Sequence, residues 1–381
     1  MMQFERQILY WSLALAVLGA LLYSLSAVLM PFAAGLCLAY LLDPVADRLE
    51  RLGMNRLSAA LVILALFSLI FILVLIILLP ILAHQLIGFI ERLPDYAMQL
   101  RALAADQGGG LIERIQSTMA EKLGVDLGDI AGVKGPDVPG SVGDIVKQAS
   151  QWVGGFIKSL WSGGQALVSL FSLIVITPVV AFYLLVDWHQ MTKHLEAMVP
   201  LRHRTMIHGL ALEINRAIAG FLRGQSLVCL FLGTWYGIGL TLIGLNFGLL
   251  IGISAGLLSF IPYVGSLTAL FLASGVALVQ GWPSLNLLIL SLLVVGTGQF
   301  LEGNVLTPRL VGASVGLHPV WLIFALLAAG NLFGLTGLIL AVPVAAALGV
   351  LLRFAFASYR ASPYYQGLTQ DDSAASPRGV Q

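Results

Sequence analysis

The chain reads as an all-α protein that threads a lipid bilayer repeatedly, a fold class that three observations predict. Hydrophobic residues make up 59% of the 381 and charged ones only 10%, against about 25% charged in soluble domains. Apolar runs close to the roughly 20 residues that cross a hydrocarbon core recur along most of the length. Between Gly224 and Leu352 just two charged side chains occur, Glu302 and Arg309. An ordinary soluble enzyme is thereby excluded. The expected architecture is a transmembrane helical bundle of about eight spans, with broken or re-entrant helices in the second half and one small extramembrane helical segment.

Residues 1–83 are expected to form N-terminal transmembrane helices, from apolar runs near 8–27, 28–42 and 57–82. The first run resembles a signal peptide, but Glu5 and Arg6 cancel and further membrane segments follow, so it reads as a retained helix. Met30-Pro31 separates the first two runs and predicts a tight hairpin. The stretch DPVADRLERLGMNR then carries Arg48, Arg51 and Arg56. Short Arg-rich loops stay in the cytoplasm, which places this loop and the N-terminus inside.

Residues 84–155 are polar, with six Lys/Arg against nine Asp/Glu and a glycine break at Gly108-Gly109-Gly110. The acidic balance suits the periplasmic side, and pieces such as LIERIQSTMAEKLG suit a small helical appendage. Residues 156–223 return through a helix that Pro178 should kink. They continue into a basic stretch where Ile207, Leu210, Ile214, Ile218 and Phe221 recur at helical spacing, an amphipathic helix expected along the cytoplasmic surface. Its histidines, His189, His194, His203 and His208, keep no metal-ligand spacing. Cys37 and Cys229 each sit inside an apolar run and read as small buried hydrophobes, with no disulfide or thiolate metal site.

Residues 224–358 are expected to form the translocation unit, and 359–381 a disordered cytoplasmic tail. Segments near 225–245, 247–260, 264–280, 284–300, 319–335 and 337–357 each suit a helix in lipid. Gly244, Gly248, Gly252 and Gly256 recur every fourth residue, giving a groove that either packs two helices statically or lets one slide on another. Pro262 and Gly265 interrupt SFIPYVGSL beside Tyr263, Ser259 and Ser266, and Pro308 interrupts QFLEGNVLTPRLVGASVGLHP. Backbone freed by such breaks is tolerated at membrane depth only where protein or a water-filled cavity surrounds it, and breaks of this kind commonly line a substrate site.

A carboxylate at that depth is costly unless paired or hydrated, which makes Glu302 the leading functional candidate. Two roles compete: an ion pair with Arg309 that fixes the loop, or a site for a proton or cation. Tyr263, Gln299 and Asn304 offer hydrogen bonds to a polar solute without adding charge in lipid. The translocation path is therefore expected to be lined or gated by Tyr263, Gln299, Glu302, Asn304 and Arg309, with Pro178, Pro262, Gly265 and Pro308 at helix breaks.

Four stretches carry a resemblance: TPVVAFYLLVDW, FLRGQ with Gly224 and Gln225, SFIPYVGS, and QFLEGNVLTPRLVGASVGLHPVWLIFALLAAGNLFGLTGLILAVPVAA. In this order and spacing they resemble the autoinducer-2 exporter family of bacterial membrane proteins, which also includes permease-like proteins and sodium/proton antiporters. The resemblance implies a multi-helix inner-membrane transporter, often oligomeric. Three functions stand as expectations. The first is ion-gradient-driven export of a small polar signalling molecule of the autoinducer-2 type. The second is sodium or other cation/proton antiport, for which Glu302 is the available carboxylate in this half. The third is an accessory scaffold or regulator acting through residues 84–155. Without a GxxxxGK[ST] or HExxH sequence, and without a basic stripe interleaved with aromatics, no ATPase, other enzyme activity, cofactor or nucleic-acid partner is expected. The expected partners are a small polar solute, a coupling H+ or Na+, the lipid bilayer and further copies of the chain, with both termini cytoplasmic.

Overall fold

A computed structural model describes residues 17, 19, 26–105, 164–311, 318–362 and 365. The expected helix before residue 26, most of the polar segment with its Gly108-Gly109-Gly110 break, the loop at 312–317 and the tail beyond 365 lie outside the described residues. All regular structure among the described residues is helical. The elements are α1 (Ser26–Arg51), α2 (Arg56–Ala105), α3 (Gly164–Met198), a 3-10 turn (Leu201–His203), α4 (Arg204–Leu242), α5 (Gly248–Leu258), α6 (Val264–Gly281), α7 (Asn286–Leu301), a π-helix (Glu302–Val311) and α8 (Pro319–Arg360). Among them six are long and apolar enough to cross a membrane, or up to seven when a bent pair in α3 counts as one span.

Several local expectations change. Met30-Pro31 does not break the chain: α1 runs through both Pro31 and Pro44, as membrane helices do when neighbouring groups satisfy the freed carbonyl. The stretch expected to loop is mostly helix. Arg48 and Arg51 occupy the last turn of α1, where positive charge complements the helix dipole. Gly53 then turns the chain at φ +98°, and the Asn55 side chain accepts from the Ser58 amide at 2.7 Å, capping α2. The expected boundary at 83/84 falls inside α2, whose 50 residues extend about 75 Å, well past a hydrocarbon core of about 30 Å. Only 6% of its most apolar window is buried in the chain, so its Leu, Ile and Val sides call for lipid. The bend in α3 is 59° and lies between Trp188 and Gln190, whereas Pro178 sits within the helical stretch before it.

The helices sort into two compact units, one of residues 1–60, 179–224 and 308–381, the other of 61–178 and 225–307. In the first unit, α8 packs against α1. Arg56 binds Asp43 at 2.7 Å, Asp47 at 2.6 Å and Glu50 at 3.3 Å, all on one face of α1, and its Nε donates to the Leu185 carbonyl at 2.8 Å. One guanidinium thus ties α1, α2 and α3 together. Long α8 is in fact two arms, because Gly334 takes φ +58° and ψ −137° in its middle. Its arms then touch: a Cβ on Gly337 would collide with the Ala329 carbonyl, and one on Gly330 would lie 2.9 Å from Leu338. The arm before Gly334 reaches only about 22 Å, short of a full crossing.

In the second unit, α5 lies directly on α4. A Cβ on Gly252 would overlap the Gly237 backbone, one on Gly256 would overlap Gly233, and one on Gly248 would lie 2.8 Å from the Thr241 amide nitrogen. Three of the four spaced glycines therefore serve close backbone packing, while Gly244 turns the chain between the helices at φ +77°. That turn is pinned from outside. Gln280 accepts from the Asn246 amide at 2.8 Å and donates to the Gly244 carbonyl at 2.8 Å. Gln85 of α2 accepts from the Leu250 amide at 2.9 Å, a cap that α5 lacks in its own sequence. Beside it, Phe247 meets Phe89 edge to face at 5.4 Å and lies 5.9 Å from the Arg92 guanidinium.

Candidate functional site

The break between α5 and α6 is built by backbone and small side chains. Ser259 closes α5, Tyr263 opens α6 at φ 70°, and Pro262 falls in the short connection between them. Gly265 is needed because a Cβ there would run into the Ser259 backbone and hydroxyl and the Ala255 carbonyl. From α4, Gln225 donates to the Ser259 carbonyl at 2.5 Å, and the Ser259 hydroxyl donates to the Ala255 carbonyl at 2.8 Å. Gln225 is 7% and Ser259 2% exposed, so this bracket is a buried part of the scaffold and holds the start of α6 in place.

Ser266, in the first turn of α6, donates to Glu302 Oε2 at 3.1 Å. Gln299, in the last turn of α7, donates to the same oxygen at 3.1 Å and also to the Tyr236 hydroxyl at 3.1 Å. Tyr236 comes from α4 and is fully buried. Its ring fits because position 298 is glycine: a Cβ there would lie 2.8 Å from the ring carbon bearing the hydroxyl. Glu302 itself begins the π-helix Glu302–Val311, an irregularity that recurs at functional sites. The carboxylate is half-buried within a stretch able to cross a membrane, and both of its hydrogen bonds come from uncharged donors.

The residues expected to line one path are distributed unevenly. Gln299 and Glu302 are joined. Asn304 is exposed and turns its amide back onto the Phe300 carbonyl at 3.0 Å. Tyr263 is 54% exposed. Pro308 and Arg309 belong to the first unit, where Arg309 is exposed. Tyr236 was not among the expected residues. Nothing in its surroundings, GTWYGIGL, separates a polar anchor from a core aromatic. Ser266 and Gln225 lay beside recognised breaks or motifs without an assigned role. A GxSxG spacing occurs at Gly252–Gly256 and at 312–316; the first lies inside α5 rather than at the strand-to-helix turn that exposes a nucleophilic serine, and the second is outside the described residues. Among the described residues, no three His, Cys, Asp or Glu side chains gather to hold a metal ion.

Comparison with known proteins agrees with this architecture. The family model described as AI-2E family transporter matches residues 11–356. YrrI of Bacillus subtilis (strain 168), provisionally named a transport protein, is 28% identical over 86% of this chain and 86% of its own length. YueF of the same organism, named in the same way, is 30% identical over 70% of this chain and 67% of its own. PerM of Escherichia coli (strain K12), provisionally named a permease, is 27% identical over 85% of this chain and 86% of its own. With a match of that extent and apolar helices made for lipid, the chain belongs to the AI-2E transporter family, as a polytopic protein of the bacterial inner membrane in a family of transporters and permeases.

Proposed function

We propose that this protein is a secondary transporter that exports a small polar solute of the autoinducer-2 type, with Glu302 as the group that couples export to a proton or cation gradient. One observation carries the reading: a half-buried carboxylate within a span, hydrogen-bonded by Ser266 and Gln299, two neutral donors. An ionised group at membrane depth needs a counter-charge or water, and neutral donors supply neither. A mobile H+ or Na+ does. The same donors, with Tyr236 behind Gln299, suit a hydroxylated solute because they offer hydrogen bonds without added charge. Tyr263 and Asn304 are proposed to act along the path to this cluster, and the breaks at Pro262 and Gly265 to let it open.

Cation/proton antiport without an organic cargo is the second reading, favoured by the same carboxylate. The two separate in proteoliposomes holding the purified protein or its Glu302→Gln variant. Gradient-driven flux of labelled autoinducer-2 that disappears in the variant supports export. Sodium-dependent proton movement without solute flux, again lost in the variant, supports antiport. Silence in both assays removes the transport role from this cluster and favours an accessory function.

A further inference from the structure

The first unit contains a cavity of about 50 Å³, lined by Tyr40 and Asp43 of α1, Trp188 of α3, and Asn215 and Arg223 of α4. At about 10–15 Å³ of such space per water, it accommodates roughly three to five water-sized groups, the bulk of a short polyol. Its polar wall has capacity to spare. Asp43 Oδ1 accepts from Arg56 at 2.7 Å, whereas Oδ2 faces the Arg223 Nη2 at 3.5 Å, beyond the roughly 2.7–3.2 Å of a direct N–H···O bond. This ion pair leaves room for an oxygen to its side, about 2.8 Å from both, that completes a triangle by accepting from the guanidinium and donating to the carboxylate. Hydroxyl groups and water do this, whereas carboxylates only accept and ammonium groups only donate.

Neighbouring groups favour the hydroxyl of an organic molecule. Arg223 is held for the task, since its Nε donates to the Tyr40 carbonyl at 2.8 Å. Asn215 accepts the Tyr40 hydroxyl at 2.8 Å through Oδ1, which leaves its amide NH2 as a further donor. Tyr40 and Trp188 meet edge to face, with centroids 5.8 Å apart and planes at 69°, and give the cavity flat apolar flanks for C–H faces. Opposite charges on one wall disfavour a guest with net charge of either sign.

We propose that this cavity binds a small uncharged polyhydroxylated solute, with one hydroxyl bridging Asp43 and Arg223 and its carbon face against Trp188. The site lies wholly in the first unit, whereas the residues of the Glu302 cluster belong to the second. The test is saturation-transfer NMR on the full chain in nanodiscs with meso-erythritol as probe, in a Glu302→Gln background that removes the carboxylate of the other cluster. Transfer to the erythritol carbon-bound protons is expected in Glu302→Gln, undisturbed by equimolar ammonium or acetate. It should weaken about tenfold in Glu302→Gln/Arg223→Lys, where lysine keeps the charge but loses the planar fork. Glu302→Gln/Asn215→Ser, which removes only the amide donor, should weaken it too and serves if the lysine variant fails to fold. Signal already lost in Glu302→Gln, signal undiminished in both double variants, or transfer no greater than in empty nanodiscs, as for a cavity that holds water alone, overturns the proposal.

Discussion

Glu302, Gln299, Ser266 and Tyr236 form a chain in which each member depends on the next, and substitutions should rank accordingly. On the proposed reading, Glu302→Gln abolishes gradient-coupled flux. Tyr236→Phe frees the Gln299 amide from one of its two partners while the ring still fills its place. It should lower flux several-fold yet change the unfolding free energy by only about 1 kcal/mol, and a thermal melt run beside the flux assay separates the two effects. Unchanged flux would reduce Tyr236 to a packing residue. Part of this site was legible in the sequence: Gln299 and Glu302 stand one helical turn apart in a stretch nearly free of charge, where polar side chains are conspicuous. Tyr236 was not legible, because the absence of a Cβ at position 298, more than sixty residues away, is what admits its ring.

Among the elements, the α4–α5 contact rests on glycine. Gly252→Ala should cost about 1–3 kcal/mol by driving the helices apart, whereas Gly275→Ala, where an added Cβ meets nothing within 4 Å, should be neutral or stabilising by up to about 1 kcal/mol. Chemical unfolding in mixed micelles reads both, and equal changes at the two positions would mean that the close contact at Gly252 does not set the outcome. Gly334→Ala should also destabilise, by about 1–3 kcal/mol, since φ +58° with ψ −137° is foreign to a residue with a side chain. Gly248, Gly252 and Gly256, spaced every fourth residue, all lie at the α4–α5 contact. The same spacing placed Gly244 on that face, however, although that residue lies in the turn. Proline was the less dependable guide: Pro31 and Pro44 sit inside α1, because in a membrane helix the lost hydrogen bond matters only if nothing nearby replaces it.

For the whole molecule, the class of fold and its setting followed from composition, since a chain 59% hydrophobic and 10% charged has few other ways to fold. The grouping of helices was not legible. Each unit gathers segments from both halves of the sequence, through contacts between residues too far apart for any local pattern to register. Arg56 illustrates the point, bound to three carboxylates of α1 and to the Leu185 carbonyl of α3. Arg56→Met should cost about 1–3 kcal/mol, between the values for exposed and buried pairs, and Asp43→Asn added to it should recover part of that loss in a double-mutant cycle. Distance along the chain also has a bearing on how the protein is made. Gln85, which caps α5, precedes its partner amide by 165 residues. At about 5–20 residues per second, the ribosome delivers α5 roughly 8–33 s after Gln85. Through that interval the partner amide does not yet exist, so α5 emerges to find its cap already synthesised. Gln85→Leu leaves the Leu250 amide without that acceptor, and should slow assembly of newly made protein as well as lower the stability of the mature form by about 1 kcal/mol, which pulse labelling and chemical unfolding read separately.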